Sequence, residues 1–251
     1  MESSLFSIEL SKSELKSFTT PLKDIQRAKI NQVLLHFNDE ENTIEAYCVN
    51  DSNTIMCNIE YLPTLLEKAT FSSTFTFGIY DLNEFINCVS VFSDGATIKI
   101  DNNLCEISDS KDNIIKYHAS DSSLIRQGKK TIKAKVEWYT GAEFAPSEYS
   151  TFMKSLNVIN GQHVIFTGKE ENEVLNIQVR DKDISSSNSS NLNVPTSEIS
   201  KQFKTVIEKD SFISTMSSSP EEFSIKISNM IIVAEGSTEI HNVKYVIAPL
   251  V

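Results

Sequence analysis

The chain has 251 residues, 40% of them apolar and 23% charged, which suits two globular domains better than one. No run approaches the ~18 uninterrupted apolar residues of a membrane-crossing helix. The start, MESSLFSIEL, carries acid where a secretory leader carries base, so a cytoplasmic protein without membrane association is expected. A net charge of −11 argues against wrapping nucleic acid over the whole surface, but an average leaves room for one basic face.

In chain order, Ser11-x-x-Glu14 is a capping box that opens a helix over 11–20. Leu15 and Phe18 lie at helical spacing, and Pro21 is expected to end the helix near Thr20. Period-two alternation then predicts strands at 29–38, 43–50, 54–62 and 73–80, with a turn at 50–53. A second helix is expected over 81–92, capped by Asp81 and carrying Phe85, Val89 and Phe92 on its apolar stripe. Strands follow at 96–100, 104–108 and 113–119. The stretch 120–131, SDSSLIRQGKKT, reads as a polar, mobile connector.

Beyond it come a strand at 133–139, a helix at 146–157 with Pro146 in its first turn, and strands at 163–169 and 173–181. The low-complexity run 185–193, SSSNSSNLN, reads as a flexible loop. A strand at 203–209, a helix at 210–219 and strands at 222–228, 230–236 and 243–249 complete the chain. Nearly everything is strand and the helices are short. That pattern points to an α+β protein built on antiparallel sheets, not to a parallel βαβ fold.

The motifs exclude more than they assign. Glycine is scarce, at seven residues, and neither a G-x-G-x-x-G nor a Walker spacing occurs. The cysteines Cys48, Cys57, Cys88 and Cys105 form no C-x-x-C pair and lie among apolar residues, so buried free thiols are expected. The histidines His36, His118, His163 and His241 show no H-x-x-x-H spacing, and no G-x-S-x-G occurs. No catalytic residue, metal ligand or cofactor is assigned, although pattern alone leaves a carboxylate pair open.

The chain also repeats itself. Glu9-Leu10-x-x-Ser13-Glu14-Leu15-x-x-Phe18 matches Glu143-Phe144-x-x-Ser147-Glu148-Tyr149-x-x-Phe152 at an offset of 134. Phe85-Ile86 with Ile98-Lys99-Ile100 matches Phe212-Ile213 with Ile225-Lys226-Ile227 at 127, and Lys116-Tyr117 matches Lys244-Tyr245 at 128. Three ordered matches at nearly one offset indicate a duplication. The expected domains are 1–119 and 132–251 joined by 120–131, each built of two strand–helix–strands units. Two halves with similar open sheet edges invite head-to-tail pairing between copies, which closes a ring when the rotation suits.

Phe77-Gly78-Ile79-Tyr80-Asp81-Leu82-Asn83-Glu84-Phe85 resembles the strand-to-helix step of the DNA sliding clamps of T-even-type bacteriophages. Lys244-Tyr245-Val246-Ile247-Ala248-Pro249 resembles the final strand of the cellular clamp, proliferating cell nuclear antigen. The order of elements fits that family along essentially the whole chain. The resemblance implies a DNA-clamp fold with antiparallel sheets outside and short helices lining a ring. It implies a homotrimer encircling duplex DNA, tethering a DNA polymerase, opened by a clamp-loader ATPase and, in the phage family, supporting late transcription.

On that reading the inner helices need a few basic residues. The candidates are Lys12 and Lys16 on the first helix, Lys23 and Arg27 after it, Lys154 on the third, and Lys209 before the fourth. The second helix supplies no base. For each lysine a merely solvated face is the competing reading. A second basic cluster, Arg126, Lys129, Lys130, Lys133 and Lys135, is either solvated linker or a match for a neighbour's acids. The family's partner pocket implies Val246, Ile247, Ala248 and Pro249 on the last strand, with Leu124 and Ile125 of the connector as peptide anchors or as residues pinning the loop. The competing functions are a virion structural β-protein without a polymerase partner and a β-rich enzyme. A monomeric processivity factor of the same fold stays within the clamp class.

Overall fold

The computed structural model describes residues 4–132, 135–170, 173–181, 188–196, 198–216 and 220–250. The chain divides into two compact units, residues 1–130 with 239–243, and residues 131–238 with 244–251. Of the expected basic cluster, Lys133 lies outside the described residues.

The first unit opens with β1 (Phe6–Ser11), α1 (Lys12–Arg27), β2 (Val33–Asn38), β3 (Thr43–Val49) and β4 (Ile55–Tyr61). A short helix α2 (Pro63–Leu66) and a two-residue strand β5 (Thr70–Phe71) lead to β6 (Phe75–Ile79), α3 (Leu82–Ser90), β7 (Gly95–Ile100), β8 (Leu104–Ser108) and β9 (Ile114–His118). Strand–helix–three strands thus occurs twice. The first strand of each set crosses to the other set, so β1 pairs with β7 and β6 pairs with β2, both antiparallel. Alternate strand residues point inward, and the core is aromatic: Phe37 stacks on Phe75 at 4.4 Å and meets Phe6 at a tilt at 4.9 Å, while Phe85 meets Tyr117 edge-on at 5.1 Å.

The second unit repeats the plan with β10 (Trp138–Phe144), α4 (Pro146–Val158), β11 (His163–Gly168), β12 (Val174–Arg180), β13 (Ser190–Pro195), β14 (Phe203–Glu208), α5 (Lys209–Ser214), β15 (Glu222–Ser228), β16 (Ile232–Ser237) and β17 (His241–Ile247). The crossing is the same, β10 to β15 and β14 to β11. The repeat extends into the register. Glu9 lies opposite Thr97, and its counterpart Glu143 lies opposite Ser224, each partner standing just before the matched Ile-Lys-Ile.

Three expectations need correction. Pro21 does not end the first helix, which runs on to Arg27. Leu22 and Ile25 continue the heptad-like line of Leu15 and Phe18 and are fully buried. Burying two such side chains gains about 3–6 kcal/mol, enough to offset the ~3 kcal/mol of an internal proline. The run 185–193 is not all loop: β13 takes up its last four residues and pairs with β12 from Val174↔Pro195 to Val179↔Ser190. Its serines and asparagines alternate with buried or half-buried positions such as Leu192 and Val194, a pattern that composition hides. Of the strand expected at 133–139, residues 133 and 134 lie outside the described residues, 135–137 are not strand, and β10 runs on to Phe144, with Thr140, Ala142 and Phe144 as its inward set. Sequence reading also missed β1, whose alternation runs straight into the helix cap.

Cys48, Cys57 and Cys105 are buried and Cys88 is half-buried, all as free thiols, and burial pushes the Cys48 thiol up to about 12. Among the described residues no helix is long and apolar enough to cross a membrane, and no three His, Cys, Asp or Glu side chains gather as a metal site would require.

Candidate nucleic-acid interface

Helix α1 starts at a complete capping box: Ser11 Oγ accepts from Glu14 N–H, and Glu14 Oε2 accepts from Ser11 N–H at 2.8 Å. The Lys68 ammonium donates to Glu14 at 2.8 Å and, with the Ser11 bonds, holds the Glu14 carboxyl down at about 2. The helix is fixed from below by Tyr61, whose ring stacks on Phe18 at 5.2 Å and whose buried hydroxyl donates to Phe18 O at 2.7 Å. Burial and the nearby Asp24 push that phenol well above its ordinary range.

With α1 extended through Pro21, Lys12, Lys16, Lys23 and Arg27 all lie on one helix. Their spacing of 4, 11 and 15 residues from Lys12 confines them to an arc of about 60° at ~3.6 residues per turn. All four are exposed, on a face adjacent to the buried line of Leu15, Phe18, Leu22 and Ile25. Their states differ. Arg27 is paired through Nη2 with Asp24, a fully buried carboxylate, whereas Lys12, Lys16 and Lys23 are in no ion pair among the described residues. Arg27 is first of all the counter-charge of Asp24.

Helix α3 is capped by Asp81, whose carboxylate accepts from Glu84 N–H at 2.9 Å. It packs beside α1, where Gln26 Nε2 donates to Asn83 Oδ1 at 3.0 Å. It brings no base, as its sequence indicates.

In the second unit Lys154 stands exposed on α4. Lys209 is the first residue of α5, and its ammonium donates to Ile159 O, the carbonyl at the end of α4, at 3.0 Å. It is half-buried and serves as a C-terminal cap. The six candidate bases therefore separate into four exposed lysines and two side chains that carry structural bonds.

The connector lies flat on the first unit rather than loose. Ser120 N–H donates to Gly78 O (2.9 Å), Gly128 N–H to Tyr47 O (2.7 Å), and Arg126 Nη1 to Asp51 O (2.9 Å). Lys130 reaches Glu45 at 3.1 Å, so this base meets an acid of its own unit. Ile125 is buried on Gly78, where any Cβ would fall 2.7 Å from Ile125 Cδ1, and it pins the loop. Leu124 projects from the 3-10 turn Ser122–Leu124 at 69% exposure. On the last strand Val246 and Ile247 are core residues, Ala248 is exposed and Pro249 half-buried. Leu250, which sequence reading passed over, is 43% exposed, and its N–H donates to Val206 O at 2.8 Å.

No family model matches the chain, and no curated protein matches it by sequence. Solved structures do match. The PCNA of A. fulgidus, solved with the C-terminal region of FEN-1 bound, superposes with a TM-score of 0.74 at 15% identity, covering 98% of both chains. A chain of the PCNA2–PCNA3 complex from Sulfolobus tokodaii gives 0.74 at 12% identity, over 97% of this chain and 98% of that one. The Proliferating Cellular Nuclear Antigen of Entamoeba histolytica gives 0.74 at 12%, over 99% and 100%.

The chain has the sliding-clamp fold.

The α+β clamp architecture that the resemblance implied is thus present end to end. The exposed lysines of α1 and α4 sit on the helices of that fold, and Leu124, Ala248 and Pro249 sit on its connector and its last segment.

Proposed function

We propose that this chain is a DNA sliding clamp. It encircles duplex DNA without reading its sequence and tethers a replicative DNA polymerase, raising processivity, and it does so without catalysis. The observation that carries this reading is the line of Lys12, Lys16 and Lys23, in no ion pair among the described residues, along one exposed face of α1, in a chain of net charge −11 and clamp fold. A protein that held DNA by adhesion would need many phosphate contacts and would move slowly. A few weak, sequence-blind contacts suit one held by topology.

Ring closure is supported by two open sheet edges. Among the described residues β9 pairs only with β8, and β13 only with β12. Pairing β9 of one copy with β13 of the next is head-to-tail and closes a ring when the rotation suits, and the family resemblance sets the number of copies at three. Complexes of the matched fold lend support: one carries a partner's C-terminal region and another joins two kinds of chain. Leu124, Ala248 and Pro249 are the apolar side chains offered to polymerase and clamp-loader tails, while Ile125, Val246 and Ile247 shape the backbone that presents them. The T-even-type resemblance around Asp81 extends the reading to a viral protein of the host cytoplasm that also supports late transcription.

The deciding experiment loads the protein on nicked circular DNA and then cuts the circle. Retention on the circle and loss on cutting are expected. Equal escape from both forms overturns encirclement, and sedimentation as a monomer at micromolar concentration overturns the trimer.

A further inference from the structure

We infer that the second unit carries a docking cleft for an extended basic peptide at the open edge of β10. Two observations inside this unit carry it, and neither depends on the clamp reading.

The first is an interrupted strand pairing. Ser200 N–H donates to Tyr139 O at 2.9 Å, Thr140 bridges to Ile199, and Thr140 Oγ1 donates to Glu198 O at 2.8 Å. Main-chain groups of alternate residues face the same edge of a strand, so those of Tyr139, Gly141 and Glu143 face this side. Past Gly141 β10 has no further pairing on this side among the described residues. The main-chain N–H and C=O of Glu143 have no partner on that edge among the described residues. A cleft of about 920 Å³ lies there, lined by Gly141 and Glu143 of the strand and by Pro195, Thr196 and Glu198. Its floor is bare, because a Cβ on Gly141 would meet nothing nearer than 3.4 Å.

The second is charge. Glu143, on the strand, and Glu198, on the returning segment, both line the cleft, are exposed, and are in no ion pair among the described residues. Glu235 also lines it but is held by Lys244 at 2.6 Å. Among the described residues the one lining cation is Lys226, beside Gly141. Two free carboxylates flanking an unpaired strand edge fit a segment that adds as a strand and directs Lys or Arg side chains at them. Trp138, 37% exposed at the lining, offers such a side chain a ring face. The opposing possibility is that Glu143 only guards an edge against pairing.

The test uses the intact protein and two blocked octapeptides, one alternating Lys and Val, the other Glu and Val. Saturable binding of the Lys–Val peptide is expected, with the Glu143 amide protected from hydrogen exchange. Gly141→Leu, which fills the cleft from its floor, and the pair Glu143→Lys with Glu198→Lys should each weaken binding at least about ten-fold. Should Gly141→Leu lower thermal stability, the glutamate pair decides alone, since it leaves the backbone untouched. No saturable binding, equal binding of the Glu–Val peptide, or normal binding by the glutamate pair overturns the proposal. Retention on circular DNA should be the same in all variants, which separates this cleft from the clamp reading.

Discussion

Helices α1 and α4 stand 134 residues apart and begin alike. In each, a glutamate three residues past the cap accepts the cap residue's N–H at 2.8 Å, and in each a fully buried phenylalanine, Phe18 or Phe152, anchors the helix to its sheet. Their solvent faces do not match. Lys12, Lys16 and Lys23 correspond to Pro146, Ser150 and Asn157, and the one base of α4, Lys154, corresponds to Thr20. What the fold requires, cap and anchor, is the same in both copies. What the proposed DNA path requires is concentrated in one. A clamp fold can therefore persist while its electrostatics are redistributed.

The largest expected effect tests the shared part. Phe18→Ala and Phe152→Ala should each cost about 3–5 kcal/mol, because both remove a buried aromatic from a close-packed cluster. Phe152 lies 5.1 Å from Phe144 and 6.0 Å from Phe212, and Phe18 stacks on Tyr61. Urea midpoints check this; a loss below about 1 kcal/mol for either would mean the two anchors are not equivalent.

The next test addresses the part that differs. Replacing Lys12, Lys16 and Lys23 together by Glu should cut retention on circular DNA at least ten-fold, whereas Lys154→Glu should have a several-fold smaller effect. Each lysine that meets a phosphate should lower the slope of log affinity against log salt by about 1, so the triple variant should lose about three times what Lys154→Glu loses. Equal losses would place the path symmetrically on both helices. All these lysines are exposed and unpaired among the described residues, so thermal stability should hold.

Why these faces were partly legible follows from the kind of signal each left. Caps and stripes are local, so Asp81, Glu14 and the Phe18 anchor could be read directly. Pro21 misled because a local rule met a longer-range gain: Leu22 and Ile25 are buried by the sheet and by α3, which sequence proximity does not reveal. The four bases of α1 became one stripe only once that helix was extended. Lys209 and Arg27 looked like any other surface bases, because their partners, Ile159 O and a buried Asp24, are fixed by packing. Leu124 and Ile125, adjacent in an apolar pair, went opposite ways, and only the bare surface of Gly78 beneath Ile125 explains which one is buried.

Arg27 and Lys23 sharpen the distinction between a structural base and a free one on the same helix. Arg27→Ala leaves Asp24 buried without its guanidinium and should cost roughly 1–3 kcal/mol, moderated because Arg27 itself is 42% exposed. Lys23→Ala should stay within about 0.5 kcal/mol. Arg27→Lys should recover part of the loss, since it restores the charge without the planar fork. A neutral Arg27→Ala would show that the other surroundings of Asp24 carry its charge unaided.

The smallest effect lies at the two caps, and pH separates them. The Glu14 carboxyl is lowered from 4.5 to about 2, chiefly by Lys68 and then by Ser11. A depressed carboxyl binds its proton later in the folded chain than in the unfolded one. Its stabilisation is therefore complete above about pH 4.5 and is lost as pH falls towards 2. Glu14→Gln keeps an oxygen that can accept Ser11 N–H but removes the attraction to Lys68, so the variant should be slightly less stable at neutral pH and converge with the parent near pH 2. Because the pair is at the surface, the difference should shrink in high salt. Glu148 closes its own cap on Ala145 with no ion pair among the described residues, so Glu148→Gln should lose less at neutral pH than Glu14→Gln. Urea midpoints of both variants between pH 2 and 7 make the comparison, and equal losses would mean that the Lys68 contact adds nothing to the capping bond.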